Sequence, residues 1–298
     1  MEEMGEVIGK GFGVWRSNLN LCIPFMLGAF VTTLLALPFL AALFMILLPL
    51  DSVDAAFLQD EENMQELLGQ MQNSLAGLDA EKMLMLAALF LALVLSLSLI
   101  NAFFAAGAIG MARQAMDEGR TSTGAMWSYG KAHFWNLFLA TLLIGLINLA
   151  GLIFLLPALV AAPLPLPADT QPMGMLVAGS ILLILYVLAL SVILASAPYA
   201  LVLEGLGPVQ ALLAAIKFFR YNKFDVVILW LVVAALSLSL EMISGAVSAG
   251  EVAAGQVLSL ATGMASLLIV APLSNLWWTR LYMNRMGKLK VDEVKDPW

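Results

Sequence analysis

Six long apolar stretches, separated by short charged segments, set the pattern of the chain. Ser17–Leu50 and Met83–Ala112 contain no Asp, Glu, Lys or Arg, and Phe134–Ala168 and Thr170–Leu203 repeat this on either side of Asp169. Val226–Leu240 continues past Glu241 to Gly250, and Val252–Thr279 is the last. About 20 helical residues cross a hydrocarbon core of about 30 Å, so the stretches have the length to span a bilayer. None alternates apolar and polar positions as a barrel strand must, and backbone polar groups in lipid have to be satisfied internally, so the stretches predict helices.

The expected fold is all-α: a polytopic membrane helix bundle in which residues 1–298 form one membrane domain. Its six transmembrane helices are expected near 19–50, 83–112, 134–162, 173–203, 225–247 and 256–279, with an outer loop over 51–82. Spans near 30 residues predict tilt, and Pro24, Pro38 and Pro49 predict bends in the first. Glu2, Glu3 and Glu6 ahead of that span, and its length, set it apart from a cleavable signal peptide.

Composition agrees. Apolar residues make up 62% and charged residues 12%, against about 45–50% and 25% in soluble domains, and mean hydropathy is +0.94. A net charge of −7 argues against nucleic acid as a partner. The lone Cys22 excludes an intrachain disulfide, a CxxC pair and a multi-cysteine zinc site. The lone His133 excludes a histidine metal cluster.

The charges are not spread evenly. Of the 14 Lys and Arg, 13 fall on the N-terminus, the second and fourth connections and the C-terminus, and only Lys82 falls on the opposite side. The positive-inside rule then places both termini in the cytoplasm. The loop over 51–82 is acidic, and Asp169, Glu241 and Glu251 add to the acidic outer face. Within that loop Met64, Leu67, Leu68, Met71, Leu75 and Leu78 recur at helical spacing behind Asp60, Glu61 and Glu62. An amphipathic outer helix over 60–78 is expected, serving as a lid or as a docking surface for a protein partner.

The chain also repeats itself. Each odd-numbered span begins with aromatic and basic residues followed by asparagine: GFGVWRSNLNL with Trp15, Arg16 and Asn18, YGKAHFWNLF with Lys131, Trp135 and Asn136, and IKFFRYNKFDV with Phe219, Arg220, Tyr221 and Asn222. Ahead of the third, GPVQALLAAIKFF sets Val209, Leu212, Leu213, Ile216 and Phe219 on one face, which predicts an amphipathic helix along the inner leaflet. Three such segments predict three helical hairpins, each with an interfacial approach helix. The even-numbered spans end in small residues and a turn, with Glu118-Gly119 and Glu204-Gly205 closing the first two.

On these motifs, above all LVLEGLGPVQALLAAIKFFRYNKFDVVILWLV, the chain resembles prokaryotic six-span membrane proteins of the YciC-like kind. The membrane domain found beside some glycerophosphoryl diester phosphodiesterases is similar too. The shared pattern is an acidic-Gly turn, a proline, an Ala-rich amphipathic helix, then aromatic-x-Asn. The resemblance covers most of residues 5–290 and implies a prokaryotic inner (cytoplasmic) membrane location, with no catalytic residue to carry over.

Catalytic chemistry is sparse. No HExxH, GxSxG, P-loop or EF-hand spacing occurs, so neither enzyme activity nor a cofactor nor a metal is expected. Gly9–Gly13 is glycine-rich without Rossmann spacing, His133 reads as an interfacial anchor, and Cys22 as a small packing residue. Asp225 beside Lys223 reads as a helix-dipole partner. Glu241, Ser244 and Ser248 share a helical face that Glu251 extends, either a polar cavity in the outer leaflet or a helix end in water. Asn101, Asn148 and Asn275 read as packing residues. Arg16, Lys131, Lys217, Arg220 and Lys223 recur beside aromatics and are the candidate contacts to anionic lipid headgroups. The expected function is non-enzymatic: envelope organisation, or a subunit of a membrane complex, in contact with anionic lipids. The alternative is a carrier or flippase for a lipid or small amphiphile, which needs opposed charges or broken helices around a site.

Overall fold

The computed structural model describes residues 2–47, 79–160, 173–248 and 252–289, and it is helical with no strand among them. Six helices are long and apolar enough to cross a membrane: Leu19–Ile46, Ala80–Glu118, Thr123–Ala158, Gly174–Glu204, Lys223–Ile243 and Val257–Arg285. This set fits a multi-pass membrane protein and matches the six apolar stretches of the sequence. The outer helix expected over 60–78 lies outside the described residues.

In chain order the helices are α1 (Met4–Ser17), α2 (Ile23–Leu47), α3 (Ala80–Glu118), α4 (Thr123–Ala150), α5 (Leu156–Val160), α6 (Met173–Ile193), α7 (Ala197–Glu204), α8 (Pro208–Tyr221), α9 (Lys223–Ser248), α10 (Val252–Ala265) and α11 (Ala271–Arg285). A 3-10 turn over Leu19–Cys22 precedes α2, a second over Gly151–Leu155 joins α4 to α5, and a π-turn over Ser266–Val270 joins α10 to α11. Contacts gather into two units, Leu27–Asn101 and the remainder of the chain.

In the unit Leu27–Asn101 no described residue is buried. Phe30, Leu34, Leu84 and Phe90 all stand exposed, as helices that are apolar all round require of a lipid surround. The other unit holds the core. Ala106, Met111 and Ala112 of α3, Met126 of α4, Ala200 and Leu201 of α7, Ala211 and Ala215 of α8, and Leu276, Leu281 and Tyr282 of α11 are buried. Five of these are alanines, which let helices in lipid approach closely. Gly107 takes this further: a Cβ there would stand 2.9 Å from the Met126 carbonyl oxygen.

The repeat is visible in the backbone. Gly119, Gly205 and Gly287 are the positive-φ residues among those described, at 74°, 69° and 65°, and they follow α3, α7 and α11. A left-handed residue just past a helix end closes its last carbonyls, and glycine adopts it without a Cβ clash. The helices α1 and α8 are each 14 residues long and end alike. Asn18 (φ −134°, ψ 63°) and Asn222 (φ −125°, ψ 33°) leave the helical region. The Asn18 and Asn222 side-chain amides donate to Val14 O and Phe218 O, both at 3.1 Å.

The second repeat differs from expectation. Asn136 lies inside an unbroken α4, so approach segment and span are one helix starting at Thr123 rather than near 134. Leu137, Phe138 and Ala140, just beyond it, are buried in helical register, and that packing carries the helix through. The apolar stripe expected on α8 also splits. Ala211, Leu212, Ala215 and Phe218 are buried, while Val209, Leu213 and Ile216 stand exposed.

Two helix breaks are stitched by aromatic donors. In an α-helix Leu268 O would receive the N–H of residue 272, but Pro272 has none. Trp15 Nε1 donates to Leu268 O at 3.2 Å and Cys22 Sγ reaches it at 3.1 Å. At Gly151 the backbone N–H turns to Asn148 O instead of Ile147 O, and Tyr186 OH donates to the freed Ile147 carbonyl at 2.8 Å. A polar group left unpaired in hydrocarbon is costly, so these two bonds fix where the neighbouring helices sit.

Candidate functional site

Arg16 ends α1, Lys131 lies in the third turn of α4, Lys217 and Arg220 belong to α8, and Lys223 starts α9. All five side chains are exposed, and none joins an ion pair among the described residues. Lys131 Nζ stands 6.0 Å from the Trp127 ring centre, and Trp135 continues the same face one turn further, both tryptophans exposed. Lys223 Nζ stands 5.5 Å from the ring of exposed Phe224. On α8, Arg220 falls in helical register with exposed Val209, Leu213 and Ile216. Arg16 follows the Phe12–Trp15 ring pair, centroids 5.5 Å apart.

Arg280, Lys10, Arg285 and Lys288 around them are committed to acids. Arg280 grips the Glu2 carboxylate with two bonds, Nε to Oε2 at 2.8 Å and Nη2 to Oε1 at 2.6 Å, and Lys10 adds a third at 2.9 Å. Glu2 and Asn284 also exchange bonds, Glu2 N to Asn284 Oδ1 at 3.3 Å and Asn284 Nδ2 to Glu2 O at 3.4 Å. Burial pushes the Glu2 carboxyl upward, but the bonds from Arg280 and Lys10 and their positive charge outweigh it and hold the group below its ordinary range. Trp277 Nε1 donates to Ile8 O at 3.1 Å, and its indole lies against Gly11.

Arg285 Nε donates to Asp225 at 2.8 Å. Asp225 is therefore more than the helix-dipole partner expected beside Lys223. It does sit in the first turn of α9, but its charge is spent on the C-terminal helix. Tyr282 OH donates to Glu204 Oε1 at 2.9 Å, and Lys288 Nζ lies 3.2 Å from the same oxygen. Asn18 Nδ2 donates to Gly119 O at 3.2 Å. These bonds bring α1, the ends of α3, α7 and α11, and the start of α9 to one end of the unit. The headgroup candidates on those elements share that end.

Sequence reasoning passed over Arg120, which is also exposed and without an ion pair among the described residues. It stands in the turn after Gly119, without the aromatic neighbour that marked the others. Glu241 is exposed on α9, and the side chains of Ser244 and Ser248, with Glu251, lie outside the described residues. Asn275 is buried and its carbonyl receives Thr279 Oγ1 at 2.7 Å, whereas Asn148 Oδ1 is buried with no partner among the described residues. No group of three metal-ligating side chains occurs among the described residues.

A cleft of about 430 Å³ opens between α4, α7 and the far part of α3, lined by Arg113, Ser128, Tyr129, Ala132, His133, Val202, Leu203 and Gly205. A neighbouring one of about 350 Å³ shares Arg113, Ser128 and Tyr129 and reaches Gln114, Asp117 and Glu118. Gly110 makes the shared wall possible, since a Cβ there would overlap the Tyr129 ring.

Fold and site together define a multi-pass helical membrane protein with a basic, aromatic-rich helix end. The chain belongs to the family described as Domain of unknown function (DUF7847), which it matches over residues 5–278. It is similar to an uncharacterized protein of Archaeoglobus fulgidus, 23% identical over 303 aligned positions that cover 97% of this chain and 98% of the other. No solved structure matches it.

Proposed function

We propose that the protein is a non-enzymatic membrane component that organises the envelope, or serves as a subunit of a membrane complex, by holding anionic lipids around the cytoplasmic ends of its helices. One observation carries this reading: Arg16, Lys131, Lys217, Arg220 and Lys223 stand exposed near exposed aromatic or aliphatic side chains, while Arg280 and Arg285 are turned inward onto acids. Aromatic rings settle at the headgroup boundary, and each cation near an anionic surface contributes roughly 1 kcal/mol. The one-sided basic count and the resemblance to YciC-like six-span proteins support a prokaryotic inner-membrane location with both termini inside. In that frame α1 and α8 lie along the inner leaflet.

Neutralising all five cations to glutamine is expected to cut copurified anionic lipid severalfold while thermal unfolding stays unchanged. Lipid mass spectrometry on the folded variant measures it. Vesicle transport lost in Glu241→Gln, with lipids retained in the five-site variant, would replace this reading by the carrier or flippase. Orientation has its own check, using Lys82→Cys and Arg120→Cys in a Cys22→Ser background. An impermeant maleimide should label position 82 and not position 120 in intact cells, and the reverse pattern inverts the topology.

A further inference from the structure

Arg113 has one partner among the described residues, Asp117 at a loose 3.5 Å, and more than a third of its side chain is exposed. Most of its guanidinium N–H groups are therefore open to a ligand. Ser128, Tyr129 and His133 make no side-chain hydrogen bond among the described residues, and all line the same cleft. The neighbouring cleft, which shares Arg113, Ser128 and Tyr129, adds Asp117 and Glu118, the latter held by Gln114 Nε2 at 3.0 Å.

A simple anion fits this charge distribution poorly, because one arginine faces two carboxylates and the surroundings come out net negative. A simple cation leaves the arginine and hydroxyls unused. The geometry points to a zwitterionic aminophosphate headgroup, its phosphate between Arg113, Ser128 and Tyr129 and its ammonium on Asp117 and Glu118. Guanidinium and hydroxyl donors suit phosphate oxygens, and a carboxylate pair suits an ammonium. Each cleft is within the range of small-molecule sites, about 300–1,000 Å³, and holds a headgroup rather than a whole lipid. Exposed Trp127 and Trp135 on α4 put this part of the helix at headgroup depth, so the occupant is a membrane lipid and not a soluble phosphate ester. In depth the inference rests on the membrane reading above, but it uses none of the five exposed cations.

The test is native mass spectrometry of the full chain from nanodiscs holding equal phosphatidylethanolamine and phosphatidylglycerol of matched chains. One ethanolamine lipid per protein is expected to survive activation, in preference to glycerol lipid by about tenfold, as one charge-assisted contact gives. Arg113→Gln should abolish that retention, Tyr129→Phe should weaken it severalfold, and Asp117→Asn should keep a lipid but lose the headgroup preference. Tyr129→Phe keeps the ring packed on Gly110 and so serves as the variant certain to leave the wall in place. The five-site glutamine variant should hold the ethanolamine lipid unchanged, so loss of its surrounding anionic lipid and loss of this one are separate results. Equal retention of both headgroups, or retention in Arg113→Gln that matches wild type, overturns the proposal. Displacement by soluble phosphoethanolamine at equal concentration overturns the lipid as its source.

Discussion

Replacing Gly107 with isoleucine is expected to part α3 from α4 and to lower the unfolding temperature by several degrees. A Cβ at 107 would stand 2.7 Å from Met126 Cγ and 2.9 Å from Met126 O, and the second of these is backbone that no rotamer change can move. The same seam continues at Gly110 against Tyr129 and at Gly130, where Phe103 Cε2 would lie 2.8 Å from an added Cβ. Overpacking costs about 1–3 kcal/mol in a core that can shift, and more where main chain blocks the shift. Gly145, on the same α4, has nothing within 4 Å of its Cβ position. Gly145→Ala should therefore be neutral or stabilising by up to about 1 kcal/mol, the ordinary helix preference for alanine. Thermal unfolding in mild detergent, followed by tryptophan emission, measures both, and equal effects would remove the close-approach argument.

Glu2→Gln is expected to loosen α1 at neutral pH and to leave it no looser than wild type in acid. The carboxylate is held by two bonds from Arg280, whose side chain is 11% exposed, so removing its charge leaves a nearly buried guanidinium unpaired. A hydrogen bond to a charged group is worth about 1.5–3 kcal/mol, and this pair has two. The Glu2 pKa is lowered in the folded protein, so its contribution is fully present above the ordinary carboxylate value and is lost as pH falls through the folded value. Hydrogen exchange of residues 4–17, compared between wild type and variant at each pH, should differ most near neutrality and converge in acid. A difference that is constant with pH would detach the effect from the Glu2 charge.

Hydrophobic runs need no partner to be read, and for that reason the six helices were legible from the sequence. Glycine closures at Gly119 and Gly205 were legible too, because an acidic-Gly pair after small residues has a backbone meaning of its own. What composition hid was pairing. Arg16 and Arg280 look alike as residues near aromatics, yet one is exposed and the other is locked to an acid 278 positions away. Asp225 looked local to Lys223 and instead meets Arg285 across 60 positions. The stripe on α8 failed for a related reason. A periodicity that marks an apolar face cannot say which neighbour covers it, and here Ala211 and Ala215 meet the core while Leu213 does not. The cleft around Arg113 has no sequence signature at all, since its walls come from three helices.

The seal between the first helix and the last sets an order of events during synthesis. Trp15 and Cys22 reach the carbonyl of Leu268 across 253 and 246 positions, and Glu2 meets Asn284 across 282. A ribosome adds about 5–20 residues per second, so the N-terminal helix leaves the exit tunnel roughly ten to fifty seconds before its partner exists. Through that interval the Trp15 indole has no Leu268 carbonyl to bond and Glu2 lacks Arg280, with only the local Lys10 beside it. Closure comes when Pro272 and the turn before it arrive and present an open carbonyl. The earliest-made segment is thus the last to find its place, and a nascent chain stalled before residue 268 lacks the acceptor that Trp15 and Cys22 share.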